Sequence, residues 1–193
     1  MTFSHTDLSF VEPGLLATLV NGLHNVYIRD TQLTKQQVEE IFVGLTGQTK
    51  LKGLGLVNAD LTSLEPNLLT RAVGKLEFVQ FEKTQLTDQQ SEMIYTALAG
   101  GGTRLKSLVV RMCPLEKEVM ARAMNNLEYF GASIGKGTAE AILTQSLVKT
   151  SLKKIRLRIR GTTRIDQSIV TEARKVIKEV VVRHMDIVGA QHV

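Results

Sequence analysis

The chain has 193 residues, a length within reach of one domain, and its 43% hydrophobic and 22% charged residues exclude a disordered chain. No apolar run approaches the roughly 20 residues of a membrane-spanning helix, which predicts no membrane insertion. The single cysteine, Cys113, excludes an intrachain disulfide and, with the lack of an Asn-x-Ser/Thr site, favours a reducing, cytoplasmic setting. The formal charge of +5 is uneven, since residues 150–193 carry 10 basic against 4 acidic side chains.

Two segments of the chain recur at the same offset. Residues 8–16 (LSFVEPGLL) match residues 61–69 (LTSLEPNLL), and residues 33–41 (LTKQQVEEI) match residues 86–94 (LTDQQSEMI). Both offsets are 53 residues, and two long matches at one offset indicate an internal repeat.

Each 53-residue unit splits into two shorter units, which begin with a leucine and continue with apolar residues three and five positions later. Those two apolar positions lie two residues apart, so on a β-strand their side chains face the same side. The starting leucines are 22 to 29 residues apart. This spacing predicts about six repeats, with strands that start near residues 23, 51, 76, 105, 127 and 152.

A turn and then a helix are predicted after each strand. Thr34 and Thr87 are expected to cap two of these helices, because Gln37 and Gln90 stand three residues on, as in a capping box. The ninth position of the unit turns the chain, and its side chain is expected to satisfy backbone groups of the turn. The residues there are Thr31, Thr84 and Cys113, which can do so, and Ala59, which cannot.

The predicted fold class is α/β, a single solenoid domain over residues 1–193 with a curved parallel sheet on the concave side and helices on the convex side. No unit can bury its own apolar face, so the units must stack. Apolar residues at helical spacing predict a capping helix over about residues 166–184. The chain is expected to begin at the helix of a unit whose strand is missing, as in the tail of a longer array or an excised fragment.

The repeated sequence segments resemble the ribonuclease-inhibitor-like class of leucine-rich repeats, and more closely the repeat tails of NLR-type intracellular receptors. Residues 12–16 (EPGLL), 31–37 (TQLTKQQ) and 84–90 (TQLTDQQ) carry the resemblance, which covers about residues 8–150. It implies a leucine-rich repeat that recognises a ligand or restrains a neighbouring switch domain, as in innate-immune receptors. The sequence contains no nucleotide-binding or death-fold domain, so receptor activity does not follow from it.

The sequence patterns of catalytic and cofactor sites are incomplete. A phosphate loop needs G-x-x-x-x-G-K-[ST], but here Phe130 stands at the first glycine and Gly137 follows the lysine. None of the histidines has a metal-ligand spacing. Cys113 falls on a turn position and is expected to pack as a small buried group. We therefore expect a non-catalytic protein with no cofactor and no metal.

The concave face is the candidate site, because solenoids bind their partners on such surfaces. Its aromatic residues and Met112 are of types enriched in protein interfaces, and Arg29, Arg111 and Arg156 are candidate polar contacts. The predicted partner is another protein. The predicted contact residues are Tyr27, Arg29, Asp30, Phe78, Gln80, Glu82, Arg111, Met112, Tyr129 and Arg156.

The strand near residue 152 is unusually basic. Alternation along it places Lys154, Arg156 and Arg158 on one face and apolar residues on the other. Three cations abreast could bind a polyanion such as RNA or an acidic surface, which is the alternative function. They could equally mark an edge strand, whose charges discourage pairing with another chain.

Overall fold

Strands and helices alternate along the whole described chain. The computed structural model describes residues 1–111, 117–148, 150–161 and 163–185. The strands are β1 (Thr2–Ser4), β2 (Asn25–Arg29), β3 (Gly53–Val57), β4 (Phe78–Glu82), β5 (Ser107–Arg111), β6 (Tyr129–Gly135), β7 (Lys154–Arg160) and β8 (Glu179–Met185). The helices are α1 (Pro13–Gly22), α2 (Lys35–Thr46), α3 (Pro66–Lys75), α4 (Asp88–Ala99), α5 (Lys117–Ala123), α6 (Lys136–Val148) and α7 (Gln167–Val176), with a 3-10 turn at Met124–Asn126.

All eight strands form one parallel sheet in the order β1 to β8, so neighbours in sequence are neighbours in space. Each helix from α1 to α6 contacts the next, and this contact requires all the helices to lie on one side of the sheet. The predicted α/β arrangement with a parallel sheet is therefore confirmed, and it is compatible with a solenoid-like repeat.

The hydrophobic core fills the space between the sheet and the layer of helices. In β2, Val26 and Ile28 are buried whereas Tyr27 between them is exposed, and the same alternation recurs in β4 and β7, while every residue of β3 is buried. Phe81 and Phe130 are among the largest fully buried side chains. The opposite side of the sheet is covered by no helix of the described chain, and we call it the open face.

Both ends of the sheet differ from the prediction. A strand, β1, precedes α1, so the unit at the N-terminus does not lack its strand. The helix predicted over residues 166–184 ends at Val176, and residues 179–185 form β8 instead. The error arises because Val180 continues the helical spacing of Ile169, Ala173, Val176 and Ile177, whereas the three β-branched valines at 180–182 fit a pleated sheet. The sheet thus has eight strands rather than about six.

The two predicted capping boxes are present, and they also join successive units. Thr34 Oγ1 accepts a hydrogen bond from Gln37 N at 3.2 Å, and the Gln37 side chain accepts one from Thr34 N at 2.8 Å. Gln37 Nε2 then donates to the carbonyls of Leu8 and Val11 in the preceding unit, at 2.7 and 2.6 Å. Gln90, which is fully buried like Gln37, repeats this arrangement 53 residues later.

The chain turns sharply at the carboxyl end of the first four strands. The residue that follows each of these strands has a positive φ of 47° to 59°. In chain order these residues are His5, Asp30, Asn58 and Lys83. Of the predicted turn residues, Thr31 donates to the carbonyl of Arg29 and Thr84 to that of Leu56, as expected. Cys113 lies outside the described residues.

Candidate functional site

The open face carries its side chains in rows that cross the sheet. Residues paired in register lie side by side, so the central row runs through Tyr27, Gly55, Gln80, Val109, Gly131, Arg156 and Val181. A flanking row contains Phe78 and Tyr129, and the row on the other side contains Arg29, Glu82 and Arg158. The structure therefore brings most of the predicted contact residues onto one continuous surface.

An aromatic pair occupies the first half of this surface. The ring centroids of Tyr27 and Phe78 lie 6.0 Å apart with planes tilted by 50°, an arrangement typical of favourable aromatic contacts. The pair spans β3, which separates their two strands. This approach requires glycine at position 55, because a Cβ there would lie 2.3 Å from Tyr27 Cδ1. Tyr27 keeps 36% of its surface exposed, which leaves the ring available to a partner.

The other predicted contact residues of this half differ in exposure. Arg29 is exposed, whereas Gln80 and Glu82 are half-buried, and Gln80 Nε2 donates a hydrogen bond to Glu82 Oε2 at 3.3 Å. Asp30 is half-buried at the turn after β2 rather than on the strand itself. Arg111 ends β5, where its backbone lies in register between Glu82 and Ser133, and Met112 lies outside the described residues.

The basic residues of β7 do not form a uniform patch. Glu179 on β8 lies between two of them, with its carboxylate 2.7 Å from Lys154 Nζ and 3.3 Å from Arg156 Nη2. The hydrogen bond from Lys154, followed by that from Arg156, lowers the pKa of Glu179. The interpretation of β7 as an edge strand is wrong, because β7 pairs with β6 on one side and with β8 on the other.

Arg158 differs from the other two basic residues of β7. It stands in register with Arg183 of β8, and neither guanidinium has an ion-pair partner among the described residues. Both side chains are exposed. The last two strands therefore present two unpaired positive charges side by side on the open face.

A depression of about 170 Å³ lies next to these arginines, and Gly131 is one of its lining residues. The absence of a side chain at Gly131 leaves a gap in the central row. Val109 and Val181 form apolar walls on either side, and Tyr129 contributes to the rim, where its hydroxyl would lie 3.1 Å from a Cβ at position 131. Arg156, Arg158 and Arg183 also line the depression.

Sequence reasoning missed three participants in this region: Glu179, Val181 and Arg183. All three belong to β8, whose residues were assigned to a helix. The run of β-branched residues Val180, Val181 and Val182 is the sequence signal that favours a strand there. Gly131 lies in β6, and its register with Val109 and Arg156 places it on the open face.

Two other kinds of site have no counterpart in the part of the chain that the structure describes. No group of three or more histidine, cysteine or acidic residues there is arranged to hold a metal ion. Among the same residues, no helix has the length and apolar character needed to cross a membrane.

Comparison with known proteins does not assign the chain to a family. No family model matches the sequence. No curated protein matches it either. What is shown of the chain is the arrangement described above: a single all-parallel sheet of eight strands that alternate with helices, compatible with a solenoid-like repeat.

Proposed function

We propose that the chain is a non-catalytic interaction module of the leucine-rich repeat type, which binds a partner protein through its open face. One observation carries this proposal: eight parallel strands leave an entire face uncovered by the described chain. Parallel sheets are usually covered on both faces, so an open one offers a large preformed surface. Solenoids use such surfaces for binding.

The repeat type is supported by the regular register and by the capping boxes that recur 53 residues apart. The sequence segments around these capping boxes resemble the repeat tails of NLR-type receptors. We therefore further propose that the chain is a ligand-sensing tail of this innate-immune type, acting in the cytoplasm. The structure is compatible with this proposal through its repeated strand-helix units.

Tyr27 and Phe78 are the proposed anchors of the partner. Partly exposed aromatic side chains that already contact one another lose little conformational freedom on binding, and aromatic residues are enriched among residues that dominate interface energies. Arg29 and Glu82 lie in the adjacent row and supply charges of both signs near the anchors.

The test is capture of proteins from an extract of the source cells by the immobilised chain, followed by mass spectrometry. Tyr27→Ala combined with Phe78→Ala should abolish capture of the partner while circular dichroism stays unchanged, because both side chains lie outside the core. Phe10→Ala is the matched control, since Phe10 is 81% exposed and lies in the segment before α1. If the double variant captures the same proteins as the wild type, the anchors are wrongly assigned.

The alternative is a polyanion-binding protein that uses Lys154, Arg156 and Arg158, with RNA as the ligand. It is favoured by the five cations and single acid on the open face of β7 and β8, where Arg160 and Arg183 join the three predicted residues. It is weakened by Glu179, which pairs with two of them. Binding of labelled RNA and DNA that falls steeply between about 50 and 200 mM salt, and that is lost when the three residues are neutralised, would support the alternative.

A further inference from the structure

We infer that the depression around Gly131 receives an acidic side chain of the partner protein, whose carboxylate binds between Arg158 and Arg183. This inference rests on the proposed function and specifies the partner: an acidic peptide segment that crosses the open face over β6, β7 and β8.

The first argument is electrostatic. Arg158 and Arg183 are directly opposite on adjacent strands, and like charges in such pairs destabilise a sheet. At the start of the same strands the chain supplies a counterion of its own, since Glu179 pairs with both Lys154 and Arg156. No carboxylate of the described chain does so for Arg158 and Arg183. An external anion would remove the repulsion, so binding and stability are coupled here.

The second argument concerns the geometry of the anion. A guanidinium presents a planar fork of N–H donors that matches the two oxygens of a carboxylate. Ser133, which is 4% exposed, stands in register beside Arg158 on the same face. Arg158 and Arg183 place two such guanidinium forks on neighbouring strands and on the same side of the sheet, so both can approach one acidic group.

The third argument concerns size and polarity. A volume of about 170 Å³ is below the roughly 300 Å³ of ordinary small-molecule pockets, and it suits one side chain rather than a cofactor. Val109 on β5 and Val181 on β8 make the two opposite sides of the depression apolar, so the aliphatic stem of an acidic side chain can pack against one of them. Among the described residues, Tyr129 alone contributes an aromatic ring to the lining of the depression, whereas single-stranded nucleic acids are bound on several stacked rings. The occupant that fits best is therefore a peptide.

The experiment is an NMR titration of the ¹⁵N-labelled full chain with an octapeptide of alternating glutamate and serine, which detects weak binding and locates it. The glutamate peptide should shift the amide signal of Gly131 and the Nε–Hε signals of Arg158 and Arg183. The same peptide with glutamine in place of glutamate should not. Arg158→Ala combined with Arg183→Ala should weaken binding by about tenfold or more, as expected for loss of charge-assisted hydrogen bonds.

Two further variants separate charge from shape. Arg174→Ala removes one exposed positive charge from α7, on the other side of the sheet, and should leave binding unchanged. Gly131→Ala keeps every charge but adds a methyl group 3.1 Å from Tyr129 Oη and 3.5 Å from Val109 Cγ2. It should weaken binding by roughly threefold or more, because it narrows the depression.

Three outcomes would overturn the inference. One is the absence of shifts at Gly131 and the two arginines at saturating peptide. Another is equal weakening by Arg174→Ala, which would indicate a diffuse charge effect. The third is tighter binding of an eight-nucleotide oligouridylate at these residues, which would make RNA the occupant. The proposed function is judged separately, because the anchors Tyr27 and Phe78 lie outside the depression. If the chain still captures a partner through these anchors while the peptide fails to bind, the acidic-peptide site is wrong but the proposed function stands.

Discussion

At the scale of single residues, Gln37 and Gln90 do more than cap helices. Each buried amide group completes a capping box and donates two hydrogen bonds to carbonyls of the preceding unit. Because buried backbone carbonyls need partners, the glutamine ties together the loop before one helix and the start of the next helix. A glutamate would fit the same space but would lack the two donors.

The first prediction concerns this bridge. Gln90→Leu should lower the free energy of unfolding by about 2–4 kcal/mol, because it removes the partner that Gln90 provides to the Leu64 carbonyl and to the Thr87 N–H and leaves the Leu61 carbonyl with the Leu64 N–H alone. Urea unfolding followed by circular dichroism measures the change. Gln89→Leu, at the neighbouring exposed position of α4, is the matched control and should change stability by less than about 0.5 kcal/mol. Equal effects of the two substitutions would contradict the bridging role.

At the scale of the elements, each early strand ends in a residue of left-handed conformation. This conformation brings the side chain of an ordinary residue close to its own carbonyl and costs about 1–2 kcal/mol. Asn58 suits the position, since asparagine tolerates it better than other residues. Lys83 does not, and its φ of 52° marks a strained turn after β4.

The second prediction is that Lys83→Gly raises the free energy of unfolding by roughly 0.5–1 kcal/mol, the relief of strain exceeding the added flexibility of the unfolded chain. Thermal and urea unfolding would measure this increase in stability. Lys50→Gly tests the same substitution at an exposed position where φ is not positive, and it should destabilise. A Lys83→Gly protein less stable than the wild type would show that the turn is not strained.

At the scale of the whole molecule, charges are arranged in series along the stack. The residues just before β3 to β7 alternate in sign: Lys52, Glu77, Lys106, Glu128 and Lys153. Lys52 Nζ lies 3.5 Å from Glu77, and Lys153 Nζ lies 2.6 Å from Glu128, whose pKa this hydrogen bond lowers. Such exposed pairs contribute little individually to the free energy of unfolding.

A second series of carboxylates makes the molecule sensitive to acid. Asp7, Asp60 and Asp166 each accept a hydrogen bond from the hydroxyl and from the backbone N–H of the residue two positions on, and these bonds lower the pKa of each carboxyl group. In the range between the lowered and the ordinary values, the unfolded chain binds more protons than the folded one. Stability therefore rises with pH in that range and is lost as the pH falls below about 4.

The third prediction follows from this rise of stability with pH. The free energy of unfolding, measured in urea at pH values from 7 to 3, should fall on acidification, and the triple variant Asp7→Asn, Asp60→Asn and Asp166→Asn should show a shallower fall. Asparagine keeps an acceptor oxygen but does not titrate. Asp88→Asn, which removes one exposed negative charge on α4, is the control for net charge. A triple variant with an unchanged pH dependence would refute the role of these carboxylates.

The sequence alone determined the repeating architecture. The 53-residue offset is visible as a repeat of the sequence itself. The apolar pairs two residues apart and the threonine-glutamine caps are local signals, because strand alternation and helix capping depend on residues within a few positions of each other. They predicted the parallel sheet, the helices α2 and α4, and the location of Tyr27, Phe78 and Arg156 on one face of it.

Only the tertiary structure decided which charges remain free and where the surface is hollow. Glu179 reaches Lys154 and Arg156 from another strand, and Arg183 stands beside Arg158 only because β8 extends the sheet. Local periodicity could not reveal the strand β8, since Val180 continues the apolar stripe of the helix before it and three consecutive valines show no alternation. The open face, the aromatic pair above Gly55 and the depression at Gly131 likewise depend on contacts between residues more than 20 positions apart, which no local pattern encodes.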